Sequence, residues 1–225
     1  MTHLIIGDIH GCYDELLELL DKAGLSDDDP IISVGDLVNR GPDSARVLDF
    51  FRATPNALAI RGNHEQRHLD ARHHDRLPSL GVLLTRWQLD TDYPAACNYM
   101  ASLPLALDLP DALVVHGFYE PGVPLDQQCP DVLIGETRAE IDLQERFDRP
   151  WYDLYDGDKP LVVGHRDYSG GLMQACVFRD RVYCIDSRCV YGGSLTGLLL
   201  PDFRLISVPS RDDHWGTIRG RYFIS

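Results

Sequence analysis

No two of the six cysteines stand in a Cys-x-x-Cys pair. A structural zinc knuckle is therefore excluded, and Cys12, Cys97, Cys129, Cys176, Cys184 and Cys189 read as reduced, mostly buried thiols of a cytoplasmic chain. No apolar run approaches the ~20 residues a membrane-spanning helix needs. The N-terminus, Met1-Thr2-His3-Leu4, lacks the basic stretch and long apolar segment of a signal peptide. Positive charge is scarce: 21 Lys and Arg stand against 35 Asp and Glu, a formal net charge of −14. Duplex nucleic acid and anionic membrane are therefore not expected partners. A phosphate-bearing ligand stays compatible, because bound cations can reverse the local sign of a site. No Gly-x-x-x-x-Gly-Lys loop supports a kinase, and no Gly-x-Ser-x-Gly elbow supports a serine hydrolase.

The composition that remains is ordinary and globular, with 44% hydrophobic and 25% charged residues over 225 positions. Leu4 to Ile6 reads as a strand ending in Gly7-Asp8. Leucines 16, 17, 19 and 20 place one apolar face on a helix from Tyr13 to Ala23, with Gly24 as its C-terminal cap. Ile31 to Val34 is a second strand, Asp43 to Arg52 a second helix, and Ala57 to Ile60 a third strand. This β-α-β-α-β run predicts a parallel sheet with helical crossovers. Residues 65–103 read as mostly helical and as a cap beside the site. Leu113 to Val115 and Leu161 to Val163 are short strands that each run into a histidine. Gln174 to Phe178, Arg181 to Ile185, Leu195 to Leu200 and Leu205 to Val208 read as consecutive strands of a second, mostly antiparallel sheet. The expectation is one α/β domain over 1–225, with two facing mixed sheets flanked by helices.

Five segments share one grammar, an apolar strand followed by a small residue and a metal-type ligand. They are Gly7-Asp8-Ile9-His10-Gly11, Gly35-Asp36, Gly62-Asn63-His64-Glu65, His116-Gly117 and Gly164-His165. Ligands of open α/β sheets gather beyond the C-terminal ends of strands, so the grammar brings these groups to one rim. Singly, each has a plain structural explanation: Asp8 and Asn63 as turn residues, His116 and His165 as core histidines. Together they supply more oxygen and imidazole donors than one four-coordinate ion needs. The set suits Mn, Fe, Zn, Ni or Co better than Ca or Mg alone, with Mn the first expectation. A carboxylate could bridge two ions about 3.5–4 Å apart.

The blocks Gly-Asp-Ile-His-Gly, Gly-Asp-Leu-Val-Asn-Arg-Gly and Gly-Asn-His-Glu, followed by two spaced histidines, resemble the calcineurin-like metallophosphoesterases. Within them the chain is most similar to the phosphoprotein phosphatase branch, which also holds the symmetrical diadenosine tetraphosphatases. Gly41-Pro42-Asp43-Ser44, Ile134-Gly135-Glu136-Thr137 and the segment Ile185 to Gly193 resemble small bacterial members, including the phosphatase module of bacterial polynucleotide kinase-phosphatases. The resemblance implies a two-metal phosphoesterase using activated water. It implies Asp8, His10 and Asp36 on one ion, with Asp36 bridging to a second held by Asn63, His116 and His165. It further implies Arg40 on phosphate oxygens and His64 as proton donor to the leaving group, with Asp186 near the site.

The sequence departs from the protein-phosphatase pattern at Asn39, where an aspartate usually orients the catalytic histidine. An uncharged partner should leave His64 less protonated at neutral pH, unless an acid such as Asp43 or Glu65 compensates. Arg188 departs from the small bacterial pattern too and reads as solvent-facing. His68, His73 and His74, with Arg67, Arg72 and Arg76, read as a solvated basic helix face rather than a second metal site. His3 and His214 have no ligand-like context. The length and the Gly-Glu-Thr segment place phosphomonoesters, phosphoproteins included, as the first substrate expectation. Asn39 favours the alternative, a symmetrical dinucleoside polyphosphate. A catalytically silent binding module is the remote third.

Overall fold

The computed structural model describes residues 2–72 and 77–223. The readings of His73, His74 and Arg76 lie outside the described residues. Three parallel strands open the chain: β1 (His3–Ile6), β2 (Ile31–Ser33) and β3 (Ala57–Ala59). They are joined through α1 (Tyr13–Ala23) and α2 (Ser44–Ala53). Leu16 and Leu19 bury one face of α1, and Gly24 closes it in the left-handed conformation that its lack of a Cβ allows. Asp43 starts α2 by accepting a hydrogen bond from the Arg46 amide at 3.0 Å.

The described residues of the segment 65–103 are mostly helical, as its composition predicts. They carry most of α3 (Asn63–Asp70), then α4 (Leu80–Leu89) and α5 (Tyr93–Ser102). Beside the rim, Thr85 of α4 meets Asn39. Leu89, Ala96, Cys97 and Met100 are buried in the core on the outer face of the first sheet. These four apolar side chains anchor α4 and α5 to the first sheet.

The chain continues through β4 (Ala106–Asp108), β5 (Leu113–Val115), α6 (Pro130–Leu133), α7 (Thr137–Arg146) and α8 (Trp151–Leu154). It then forms β6 (Leu161–Val163), β7 (Cys176–Phe178), β8 (Val182–Cys184), β9 (Ser194–Leu200), β10 (Arg204–Pro209) and α9 (His214–Phe223). The sheet orders are β10-β9-β1-β2-β3 and β4-β5-β6-β8-β7. The tail strands therefore do not make one sheet of their own. β7 and β8 complete the second sheet, while β9 pairs antiparallel with β1 and brings β10 to the first. The reason is legible in β9: Leu198 and Leu200 face the central core, and Leu195 and Leu199 face the outer one. A strand apolar on both faces needs layers on both sides, which the β1 edge offers. The second sheet is parallel along β5-β6-β8 and antiparallel only at its two edges.

Side-chain alternation builds three cores from these layers. Ile5, Ile32 and Leu198 meet Val114, Val162 and Tyr183 between the sheets. Leu4 and Ile6 turn outward toward α1 and α2, and Val115, Leu161 and Val163 turn toward α7 and α8. Burying each such side chain contributes about 1.5–3 kcal/mol. The consequence for function is positional. The strands β1, β2, β3, β5, β6 and β8 run parallel within their sheets and deliver Asp8, Asp36, Asn63, His116, His165 and Asp186 just beyond their C-terminal ends.

Candidate metal centre

Asp36 is shared by two groups of donors. His10, Asp36 and His64 place donor atoms within 4.8 Å of one another, and so do Asp36, His116 and His165. The two carboxylate oxygens divide the work: Oδ2 lies 3.6 Å from His10 Nε2, and Oδ1 lies 3.4 Å from His116 Nε2. Asp8 is on the His10 side but outside both triads, with Oδ2 4.0 Å from His10 Nε2. Its oxygens instead accept from the His165 amide at 3.0 and 3.2 Å. That contact requires Gly164, where a Cβ would strike Asp8 Oδ1.

The donor set fits a divalent cation on several independent grounds. His10 Nδ1 donates to Val38 O at 2.8 Å and His116 Nδ1 to Val34 O at 2.9 Å. These bonds turn each Nε2 toward Asp36, the arrangement that ligating histidines use. Asn63 Oδ1 and His116 Nε2 are buried without a hydrogen-bond partner among the described residues, a costly state for atoms that do not bind something else. The carboxylates are crowded. Burial, then Asp186 and Asp36, push Asp8 well above the usual carboxylate range. Burial pulls His116 down, yet Asp36, Asp8 and Glu65 outweigh it and raise it to about 10. The cluster favours positive charge among its carboxylates, as a metal-binding site must.

Glu65 holds the scaffold. Its carboxylate accepts from the amides of Asp36, Leu37 and Gly62 at 2.9 Å and of Val38 at 3.3 Å. One buried side chain thus ties the β2 loop to the start of α3. Left-handed backbone is concentrated here as well. Among the described residues eleven non-glycine positions have positive φ, and His10, Asp36, Asn39, Arg40, His165 and Arg188 are six of them. Such strain persists where surrounding contacts impose it, typically at working sites.

Neither Asp43 nor Glu65 compensates for the missing aspartate behind His64, since one caps α2 and the other binds backbone. Asn39 itself fills the place, with Nδ2 donating to His64 Nδ1 at 2.9 Å. Asn39 Oδ1 in turn accepts from Thr85 Oγ1 at 3.0 Å and from His68 Nε2 at 2.9 Å, and His68 Nδ1 accepts from the Tyr93 hydroxyl at 3.1 Å. His68 is therefore not on a solvated face; it is fully buried. Every donor in this row points toward the rim, which leaves the proton of neutral His64 on Nε2. Burial, with the charges of Arg40 and Arg67, holds His64 well below the usual imidazole range despite Asp36.

The rim is also rich in arginine. Arg40, Arg67, Arg166 and Arg188 line one pocket with Asp36, Asn63, His64 and His165. Arg40 Nη1 donates to His10 Nε2 at 3.0 Å, and Arg67 Nη1 stands 2.9 Å from His64 Nε2. The Arg188 guanidinium lies over the Tyr191 ring, 4.1 Å from its centroid, so it faces the site and not solvent. The left-handed turn at Arg188, tied by Asp186 Oδ1 accepting from its amide at 2.8 Å, redirects it. Asp186 is thus both a strand-end turn and a buried neighbour of Asp8. The sequence signal for Arg166 was its place directly after His165, and for Arg67 its place one turn after His64.

Away from the rim, His214 Nε2 meets Glu15 Oε1 at 2.7 Å and pins α9 to α1. All six cysteines are free, and Cys12, Cys97, Cys184 and Cys189 are buried. Among the described residues no helix is long and apolar enough to cross a membrane.

Comparison with known proteins agrees with this geometry. The calcineurin-like phosphoesterase family matches residues 1–204. An asymmetrical bis(5'-nucleosyl)-tetraphosphatase of Halalkalibacterium halodurans is 31% identical over 92% of this chain and 93% of its own. A symmetrical bis(5'-nucleosyl)-tetraphosphatase of Edwardsiella ictaluri is 29% identical over 94% of this chain and 97% of its own. The crystal structure of a candidate diadenosine tetraphosphatase superposes with a TM-score of 0.75 at 28% identity, over 93% of each chain. With a rim whose donors are those a divalent metal needs, the chain belongs to the calcineurin-like phosphoesterase family and is a metal-dependent phosphoric ester hydrolase.

Proposed function

We propose that the chain hydrolyses a dinucleoside polyphosphate at a phosphoanhydride bond. The observation that carries this reading is the set of four guanidiniums, Arg40, Arg67, Arg166 and Arg188, in one pocket of a chain whose net charge is −14. A phosphomonoester offers one anionic group to clamp, whereas a polyphosphate offers several in a row, and the planar arginine fork suits each of them. The relatives named tetraphosphatases favour the same substrate class. The phosphomonoester and phosphoprotein reading, first on sequence grounds, takes second place, because Asn39, not an acid, stands behind His64 among the described residues.

Asp8, His10 and Asp36 would hold one ion, and Asp36, Asn63, His116 and His165 another, with manganese the first expectation. Bound there, the ions supply an activated water and neutralise charge on the phosphoryl oxygens. Arg40 and Arg67 grip the phosphate under attack. Arg67 Nη1 and the N–H at His64 Nε2 are donors only 2.9 Å apart, so an anionic oxygen beside them that accepts from both relieves their opposition. His64 Nε2–H then donates a hydrogen bond to the leaving oxygen. A departing nucleotide phosphate has a low pKa and leaves as its anion, so no proton need pass to it.

The test is turnover of diadenosine tetraphosphate against a phosphoserine peptide by the metal-loaded protein. Faster cleavage of the dinucleotide is expected, and the products identify the bond: AMP with ATP for asymmetrical attack, two ADP for symmetrical. Faster cleavage of the peptide would overturn the reading.

A further inference from the structure

Beside the arginine pocket lies a second concavity of different chemistry. Helix α7 connects the two. Thr137 at its start lines the arginine pocket, and Glu140 and Gln144 line the neighbour, about 4.5 and 10 Å further along the helix axis. The Glu140 carboxylate also pairs with Arg166, which lines the arginine pocket, so one ion pair links the linings of the two. The floor of the second cavity is apolar, made by Leu143 and Trp151. Its sides are aromatic: Phe147, Tyr152 and Tyr168, the last two with ring centroids 5.2 Å apart.

This cavity is not an ordinary piece of core. Phe147, Tyr152 and Tyr168 are only partly buried, so aromatic surface stays accessible beside it, although Phe178 stacks on Tyr152. The Tyr168 hydroxyl is buried and has no hydrogen-bond partner among the described residues. The Trp151 indole stands near that hydroxyl without reaching hydrogen-bond geometry. A flat ligand with polar edges answers the accessible part of these features. Its faces would lie on the rings, and its edge would meet the exposed Gln144 amide. A nucleobase has that shape, and one carried on a phosphate chain would arrive from the arginine side.

We propose that this aromatic cavity is the nucleoside subsite, receiving one base of the dinucleoside polyphosphate whose phosphates lie among the arginines. The proposal rests on the polyphosphate reading above. It adds that recognition is by stacking, so purine bases bind better than pyrimidines.

The experiment compares wild type with Tyr152→Ala and Gln144→Ala. Substrates are diadenosine tetraphosphate and p-nitrophenyl phosphate, which has no nucleoside. ADP binding to the metal-loaded proteins is measured in parallel by calorimetry. Losing one stacking face should raise KM for the dinucleotide, and the Kd for ADP, about tenfold. Turnover of p-nitrophenyl phosphate should stay at the wild-type rate. Tyr152 also stacks on Phe178 at 4.1 Å, so Tyr152→Phe, which keeps the ring, should restore wild-type behaviour. Gln144 is exposed, and its loss should leave the fold untouched. Unchanged ADP binding in both alanine variants, or equal losses on both substrates, would overturn the subsite. If wild type cleaves no dinucleotide, the polyphosphate reading falls, and ADP binding alone decides the subsite.

Discussion

Asn39 Nδ2 stands 2.9 Å from His64 Nδ1, in a row of donors that all point toward the arginine-lined rim. An amide there keeps His64 neutral with its proton on Nε2. Asn39→Asp would replace that donor by an acceptor, so Nδ1 must carry a proton and the ring becomes an imidazolium when it also holds Nε2–H. A stronger acid helps poor leaving groups most, and such help is worth about 10²–10⁴-fold. The variant should raise kcat/KM for a phosphoserine peptide at least about tenfold more than for p-nitrophenyl phosphate. An equal change on both substrates would show that Asn39 does not tune His64.

Much of this site was legible before any fold was known. Strands ending in Gly-Asp, Gly-Asn-His and Gly-His bring donor groups together because parallel strands share a C-terminal rim, and Asp36 does stand between two such groups. What the sequence concealed depended on turns and on burial. Arg188 reads as a surface residue until its left-handed backbone turns it over Tyr191. His68 reads as one of several basic positions on a helix, yet the row from Tyr93 to Asn39 buries it completely. β9 read as part of a second sheet because strand pattern does not name a pairing partner; only its two apolar faces, set against β1, decide that.

Glu65 accepts from the amides of residues 36, 37, 38 and 62. Glu65→Gln keeps the shape but turns an acceptor into a donor, leaving at least one buried amide unmatched. The expected loss is about 1–3 kcal/mol of stability, together with weaker metal retention, because the β2 loop carries Asp36. Chemical denaturation and metal analysis measure the two effects; a variant as stable as wild type would refute the scaffold role.

Asp36 faces both donor groups, so its charge should matter to both ions. Asp36→Asn is expected to lower the bound metal toward none, not from two to one, and to reduce turnover at least about 10²-fold. Metal content by mass spectrometry on the purified protein is the readout. Full occupancy of both positions would remove Asp36 from the bridge.

The Glu15–His214 pair predicts a pH window for stability. Burial raises Glu15, but the His214 hydrogen bond and neighbouring amides outweigh it and bring it down to about 2. The Glu15 hydrogen bond lifts His214 above the ordinary imidazole value of 6.5. The lowered acid contributes fully above its unfolded value of 4.5 and loses that contribution as pH falls toward 2. The raised base contributes fully below 6.5 and loses its share as pH rises through the shifted value. His214→Ala should therefore cost most stability between 4.5 and 6.5 and least at alkaline pH. Thermal denaturation of both proteins from pH 3 to 9 tests it, and a cost independent of pH would mean that His214 acts by packing alone.

Arg188 distinguishes a polyphosphate site from a monoester site. Arg40 follows the metal loop directly and stands against His10, so Arg40→Ala should impair every phosphate substrate. Arg188 is braced on the Tyr191 ring, which the Arg40 guanidinium also approaches at 5.5 Å, but it does not follow the metal loop. Its natural contact is a phosphate further along the chain. A hydrogen bond to a charged group contributes about 1.5–3 kcal/mol, so Arg188→Ala should lower kcat/KM for diadenosine tetraphosphate about 10–150-fold. Its effect on p-nitrophenyl phosphate should stay within about twofold, since that substrate has no second phosphate to hold. Arg188→Lys keeps the charge without the fork and should fall between the two. The dinucleotide KM of wild type should also rise with salt more steeply than that of Arg188→Ala, because one charge pair has gone. Equal losses on both substrates would place Arg188 on the reacting phosphate, and no loss on either would return it to the surface role its sequence suggested.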